Sequence, residues 1–224
     1  MNGTEWRIAV GEETTRAVYE GPSAGEERAV FVCAPGAGGS MMDRGTLSAA
    51  NTLRSRGLGV VRFNFLYKEK GSGRPDAMPK LMDTTRAVVE RVRAELAPRV
   101  LIIGGRSMGG RAASMLAAEG FDADGLLLLA YPLHPAGQPE KLRDAHLPRI
   151  TMPVLCINGT RDELCTPALM KRALETVTAP WTMHWLEGAD HSFHVLKSSG
   201  RNDAAVLDET GDVAERWLDG LARR

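Results

Sequence analysis

The stretch Val100-Leu101-Ile102-Ile103-Gly104-Gly105-Arg106-Ser107-Met108-Gly109-Gly110-Arg111 decides how the rest of the chain is read. Its apolar start has the length and branching of a buried strand. Its continuation from Gly109 to Glu119 is rich in small residues and reads as a helix. A serine therefore stands where a strand turns directly into a helix. Bulky side chains two positions before and after it would collide across so tight a turn, which explains Gly105 and Gly109. Gly-x-Ser-x-Gly is weak evidence by itself, but a strand before it and a helix after it are what a nucleophile elbow requires. A glycine-rich turn cradling phosphate is the competing reading. The chain has neither Gly-x-x-x-x-Gly-Lys-Ser/Thr nor, in this segment, Gly-x-Gly-x-x-Gly.

Working outward, apolar runs of strand length alternate with segments of helical period. This is the pattern of an α/β fold with a mostly parallel sheet covered on both faces. Trp6 to Val10 and Thr15 to Tyr19 flank Gly11 and read as an antiparallel edge hairpin. Further strands are expected at Ala29 to Ala34, Gly59 to Phe65, Val100 to Gly104, Gly125 to Ala130, Pro153 to Asn158 and Trp181 to Leu186. Helices are expected near Arg44 to Arg56, Asp76 to Leu96, Pro167 to Val177 and Asp203 to Leu221. The glycine-rich, charged segment Lys68 to Pro75 reads as a mobile loop. No repeat or linker interrupts the pattern, so residues 1–224 are expected to form one domain.

The 28 basic and 28 acidic side chains cancel, leaving no net field to draw nucleic acid or an anionic membrane. Arginine outnumbers lysine 22 to 6, which with abundant Ala and Gly reads as compositional bias. Met1 to Arg7 has no basic-then-apolar leader pattern, and the apolar run Leu126 to Tyr131 is far too short to span a bilayer. Three cysteines make no disulfide framework. Cys33 and Cys156 sit in apolar runs and are expected in the core, whereas Cys165 is a candidate surface thiol near the active site. A cytoplasmic protein is the expectation.

A serine hydroxyl needs a base, and the base an orienting acid. Of five histidines, His184 lies inside a strand, and His134 and His146 precede the strand Pro153 to Asn158. His191, in Gly188-Ala189-Asp190-His191-Ser192-Phe193, leaves the last strand at the sheet edge where Ser107 stands, and His194 follows in the next turn. Asp162 lies just past the strand ending at Asn158 and is the candidate acid. Asp190 is its rival, although adjacent residues rarely aim their side chains at each other. The order Ser107, Asp162, His191, with gaps of 55 and 29 residues, is serine, acid, histidine. Oxyanion donors are expected from the N–H of Met108 and from the loop Ala34-Pro35-Gly36-Ala37-Gly38-Gly39-Ser40, where Ala37 is the choice. Met41, Met42, Met108, Leu133 and Phe193 are candidates to line an apolar acyl pocket, with Arg106, Tyr67 and His134 as polar contacts.

Pro35-Gly36-Ala37-Gly38-Gly39, the elbow Gly105 to Arg111, Gly159-Thr160-Arg161-Asp162 and Gly188 to Phe193 together resemble the small, cap-poor, dienelactone-hydrolase-like α/β hydrolases. Arg62 to Tyr67, Tyr131 to Pro135 and Pro139 to Arg143 resemble more narrowly a subgroup that includes testis-expressed and nonspecific-lethal-complex hydrolase-like proteins. The resemblance implies an α/β-hydrolase fold with a minimal lid or none, a triad of Ser107, Asp162 and His191, and no cofactor or metal. It further implies a serine hydrolase acting on a small-molecule ester or thioester. A hydrolase-fold interaction protein is the alternative, and peracid formation by the same three residues is a third reading. About twenty residues separate Tyr131 from Ile150, which leaves no room for a large lid. Oligomeric state is not legible.

Overall fold

The computed structural model describes residues 3–22 and 27–221, so Met1 and Asn2 of the segment read for a leader lie outside the described residues. Eight strands among these residues form one sheet: β1 (Thr4–Val10), β2 (Glu13–Glu20), β3 (Val30–Ala34), β4 (Gly59–Phe63), β5 (Leu101–Arg106), β6 (Gly125–Leu129), β7 (Val154–Gly159) and β8 (Trp181–Leu186). Their order is β1-β2-β4-β3-β5-β6-β7-β8. The hairpin β1–β2 is antiparallel and β2 runs antiparallel to β4, while every pair from β4 to β8 is parallel. Among the described residues six α-helices are interspersed: α1 (Arg44–Arg54), α2 (Leu66–Glu69), α3 (Met78–Leu96), α4 (Met108–Ala118), α5 (Pro167–Ala173) and α6 (Asp203–Leu221).

The two-residue period of the strands divides the core. Val30, Val32, Ile103, Leu126, Leu128, Val154 and Cys156 face α3 and α4, where they meet Val88, Val89, Val92, Ala112 and Ala113. Phe31, Cys33, Ile102, Leu127, Leu129, Leu155 and Ile157 face α1 and α6, against Ala50, Leu53, Val206 and Ala214. Burial on both faces accounts for the unbroken apolar runs of the inner strands.

Four expectations are corrected. β4 stops at Phe63 instead of reaching Phe65, because Asn64 gives the β2 backbone only its N–H, to the Arg16 carbonyl at 3.1 Å, and spends its other polar groups outside the ladder. Its carbonyl accepts from Thr15 Oγ1 at 2.6 Å, its Oδ1 from Met41 N–H at 2.8 Å, and its Nδ2 donates to Glu69 Oε1 at 2.7 Å. The segment read as a mobile loop from Lys68 instead begins inside α2, and only its remainder is loop. Lys68 Nζ donates to the Gly38 carbonyl and Tyr67 N–H to Asp76 Oδ2, each at 2.8 Å. Cys165 is not a surface thiol: all three cysteines are buried, and burial raises each thiol above its ordinary range, Cys33 to about 12. The helix expected to Val177 ends at Ala173 and continues as a 3₁₀ turn, Leu174–Thr176.

Between β6 and β7 the chain makes an excursion whose only helical piece is the 3₁₀ turn Leu147–Arg149. Side chains pin it to the body: Tyr131 Oη donates to the Arg143 carbonyl at 2.8 Å, and His146 Nε2 lies 2.8 Å from Ser114 Oγ on α4. Burial, with Arg111 and Arg149 nearby, lowers the His146 pKa from 6.5 to about 4. In the unfolded chain this imidazole takes its proton near the ordinary value; in the folded one it stays neutral until about 4. The contribution to stability is therefore complete above pH 6.5 and lost as pH falls toward 4. Denaturant midpoints measured across that window should fall, and should fall less steeply in His146→Gln than in the parent.

Candidate active site

β5 delivers the chain to Ser107, which takes φ 48° and ψ −116°, a backbone state that costs a non-glycine residue roughly 1–3 kcal/mol. Two bonds fix it: its N–H donates to the Leu129 carbonyl of β6 at 2.9 Å, and its own carbonyl accepts from Arg111 N–H at 3.0 Å as α4 begins. The flanking glycines are there for contact. A Cβ on Gly105 would lie 2.2 Å from the Ala34 carbonyl oxygen, and one on Gly109 would lie 2.5 Å from those of both Ala34 and Pro35. The first turn of α4 is thus pressed against the end of β3.

Asp162 and His191 come from the loops after β7 and β8, neighbours at the same sheet edge. Ser107 Oγ lies 2.9 Å from His191 Nε2, and His191 Nδ1 lies 2.8 Å and 3.0 Å from the two Asp162 oxygens. With Nδ1–H donating to the carboxylate, Nε2 is free to accept the serine proton. The Asp162 side chain is fully buried, and His191 retains 28% exposure. The carboxylate also accepts from Leu164 N–H at 2.8 Å and Asn158 Nδ2 at 3.1 Å.

The two loops are stitched together. A Cβ on Gly159 would stand 2.1 Å from the Ala189 carbonyl oxygen. Arg161 N–H donates to that same oxygen at 2.9 Å, and Gly188 N–H to Thr160 Oγ1 at 2.8 Å. Asp190, the rival acid, turns away from the imidazole. Its Oδ1 accepts from Ser192 N–H at 2.7 Å and His194 N–H at 3.0 Å, so it braces the loop from within.

The loop after β3 runs beside the serine: a Cβ on Gly36 would sit 3.8 Å from Ser107 Cβ. Ala37 is exposed, and its N–H has no hydrogen-bond partner among the described residues. The N–H of Met108 belongs to the first turn of α4, whose donors have no partner inside the helix. The loop is braced from below, since Gly39 N–H donates to the Gly36 carbonyl at 3.1 Å and Ser40 N–H to Asp43 Oδ2 at 2.7 Å.

The expected acyl pocket is corrected in part. Leu133 is fully buried in the core on the α4 side and lines no surface. Phe193 is also buried; it borders a cavity of about 450 Å³ with Arg106, Gly45 and Thr46, and Ser107 is not in that lining. Met42 is 59% exposed and Met41 and Met108 are partly exposed. Of the expected polar contacts, Tyr67 and His134 are buried, and Arg106 donates from Nη2 to the His191 carbonyl at 2.9 Å. Among the described residues no group of three or more His, Cys, Asp or Glu is arranged to hold a metal ion.

Asn158 was missed by sequence reasoning. Fully buried at the end of β7, it accepts Tyr131 N–H at 3.0 Å while its Nδ2 donates to the Tyr131 carbonyl and to Asp162. A polar residue closing an apolar strand just before the candidate acid was the available signal.

The family model for the alpha/beta hydrolase domain matches residues 27–219, and the chain belongs to that family. Solved structures share the architecture along nearly their whole length. An alpha-beta serine hydrolase homologue from Coxiella burnetii is 21% identical, with 97% of this chain and 98% of that chain covered and a TM-score of 0.77. A serine hydrolase without a lid from Xanthomonas campestris is 26% identical, covering 96% and 95%, with a TM-score of 0.73. A dienelactone hydrolase from Anabaena variabilis is 20% identical, covering 98% and 97%, with a TM-score of 0.75. No helix among the described residues is long and apolar enough to cross a membrane.

Asn158→Ala should leave the Tyr131 N–H buried without a partner and strip a donor from Asp162. Such a loss costs about 1–3 kcal/mol, and urea unfolding of the variant beside the parent should show a drop of that size.

Proposed function

We propose that the protein is a serine hydrolase that cleaves a carboxylic ester or thioester of a small molecule through an acyl-enzyme. One observation carries this reading: the hydrogen-bonded chain from Ser107 Oγ through His191 to a buried Asp162. An inert scaffold has no use for a strained serine held at bonding distance from an imidazole. In the proposed cycle, Ser107 Oγ attacks the substrate carbonyl while its proton passes to His191 Nε2. Asp162 holds the Nδ1–H and stabilises the imidazolium that forms. The N–H groups of Met108 and Ala37 receive the oxyanion. The tetrahedral adduct collapses as His191 returns the proton to the departing alcohol or thiol. Water then repeats the sequence with His191 as base, releasing the acid and free Ser107.

The excursion between β6 and β7, with only a 3₁₀ turn, supports an open site, as does the Xanthomonas protein described as lacking a lid. Short acyl chains then suit the enzyme best, with no rate increase when substrate forms an interface. Three buried free thiols fit a reducing compartment such as the cytoplasm. A preference for emulsified long-chain triglyceride in an ester series would contradict the open-site reading.

A fluorophosphonate should modify Ser107 alone, and Ser107→Ala should abolish labelling and turnover; an adduct mapped to another serine would overturn the choice of nucleophile, and no adduct at all would favour the interaction protein. Asp162→Asn should leave the fold intact but hold the imidazole in the wrong tautomer. The equivalent change in a serine protease lowers turnover by roughly 10⁴, a barrier increase of about 5–6 kcal/mol. Asp190→Asn should cost far less, because its Oδ1 still accepts the Ser192 and His194 N–H groups. Turnover measured for both variants together tests the acid: an active Asp162→Asn beside a crippled Asp190→Asn would reverse the assignment.

A further inference from the structure

The last residue of β5, Arg106, sits next to Ser107 in the chain but sends its side chain to the histidine loop. Its Nη2 donates to the His191 carbonyl at 2.9 Å, and its guanidinium carbon stands 5.5 Å from the centre of the Phe193 ring. Room for it is made by Gly45 in the first turn of α1, where a Cβ would lie 2.7 Å from Nη1. Phe193, the ring it covers, holds φ 63° and is fixed by its N–H on the Asp190 carbonyl at 2.9 Å. One side chain thus joins the backbone at the nucleophile's position to the backbone at the base's position.

The cost of this arrangement is visible. Arg106 is largely buried, and burial lowers its pKa. Among the described residues no carboxylate comes within ion-pair distance of it. Asp162, Asp190 and Asp43 favour its charge only from further off. A largely buried cation without an ion-pair partner is poor design for stability alone, since an apolar side chain of similar volume is commonly neutral or better there. Its benefit must come from what it holds.

The histidine loop is otherwise fastened to the acid's side of the site, through Arg161 and Thr160 after β7, and further on to Asp203 at the start of α6, through His194 Nδ1 and the Val195 N–H. Among the described residues, the Arg106–His191 bond is the one hydrogen bond tying that loop to β5, apart from the Ser107–His191 contact itself. We infer that Arg106 is a positioning residue, which sets the approach of His191 to Ser107 by holding the His191 carbonyl and the Phe193 ring against the end of β5. This rests on the serine hydrolase reading above. Arg106 borders the roughly 450 Å³ cavity of Gly45, Thr46, Ser48 and Phe193, and Ser107 does not, so substrate affinity should be spared.

The test uses the full chain with an ester that the parent turns over. In Arg106→Met, kcat and the rate of fluorophosphonate labelling should fall about 10- to 100-fold, the scale expected when a reacting group is misplaced by about 1 Å. KM should stay within about threefold of the parent and Tm should hold or rise. Arg106→Lys, which keeps a donor but not the planar stacking, should recover part of the loss. Arg106→Ala should regain activity with guanidinium chloride well below denaturing concentrations, admitted through the cavity, and not with sodium chloride of equal ionic strength. An Arg106→Met enzyme with kcat within about twofold of the parent overturns the inference while leaving the hydrolase reading intact. Lost activity that tracks a lowered Tm and is rescued by neither lysine nor guanidinium also overturns it, making Arg106 merely structural. Absence of labelling at Ser107 in the parent would instead sink the hydrolase reading, and this inference with it.

Discussion

The first turn of α4 is pressed against the carbonyl oxygens of Ala34 and Pro35, and the geometry of the site descends from that contact. No side chain fits between helix and strand at Gly105 or Gly109, so the chain turns from β5 into α4 without an intervening loop. Ser107 takes the strain, at φ 48°. A strained residue persists only where its surroundings over-determine it. Here they do, because β5 is paired on both sides and Leu129 and Arg111 fix the two peptide groups of Ser107. The same contact brings the loop after β3 alongside the serine, since β3 and β5 are neighbours and Pro35 cannot move away without opening the helix contact.

The other half of the site is built on different strands and has its own internal order. Asp190 folds the histidine loop on itself, Gly159 lets the acid loop pack against Ala189, and Asn158 fastens Asp162 to Tyr131 at the end of β6. Each half is rigid by its own hydrogen bonds, so the separation between them becomes the sensitive coordinate. A few tenths of an ångström between β5 and the loop after β8 would alter the Ser107–His191 contact while leaving both halves unchanged. That is the coordinate spanned by Arg106.

Much of the architecture was legible in the sequence because the inner strands are buried on both faces and stand out as apolar runs. The elbow was legible because steric demand at Gly105 and Gly109 leaves a local pattern. Chain order and strand position were enough to bring Ser107, Asp162 and His191 to one sheet edge. What escaped depended on contacts remote in sequence. Asn64 ends β4 because Thr15, Met41 and Glu69 each engage one of its polar groups, none of which an apolar count over 59–65 weighs. Cys165 stands in a polar neighbourhood of sequence but beneath the excursion in space, and Leu133 begins the same excursion yet turns inward. Arg106 looked like a polar contact for substrate, but from the end of β5 it sends its side chain past Gly45 of α1 to the His191 carbonyl, a contact 85 residues away in the chain.

Exposure across the site is graded in a way that suits the proposed chemistry. Asp162 is fully buried, but Leu164, Asn158 and His191 offer it three donors, so its lone pairs are met without a second buried charge. His191 is about a quarter exposed, Ser107 and Met108 are partly exposed, and Ala37 is open to solvent. The charge that must persist through the cycle is thus the one most shielded from water. The atoms that must meet first an ester and then a water molecule lie outermost. The excursion carries no α-helix, and under the proposed function discrimination among substrates would fall to the short loops carrying Ala37, Met41 and Met42. Those loops are braced from below by Asn64, Tyr67 and Lys68, which leaves their outer side chains free to vary in size without disturbing the hydrogen bonds that position Ser107.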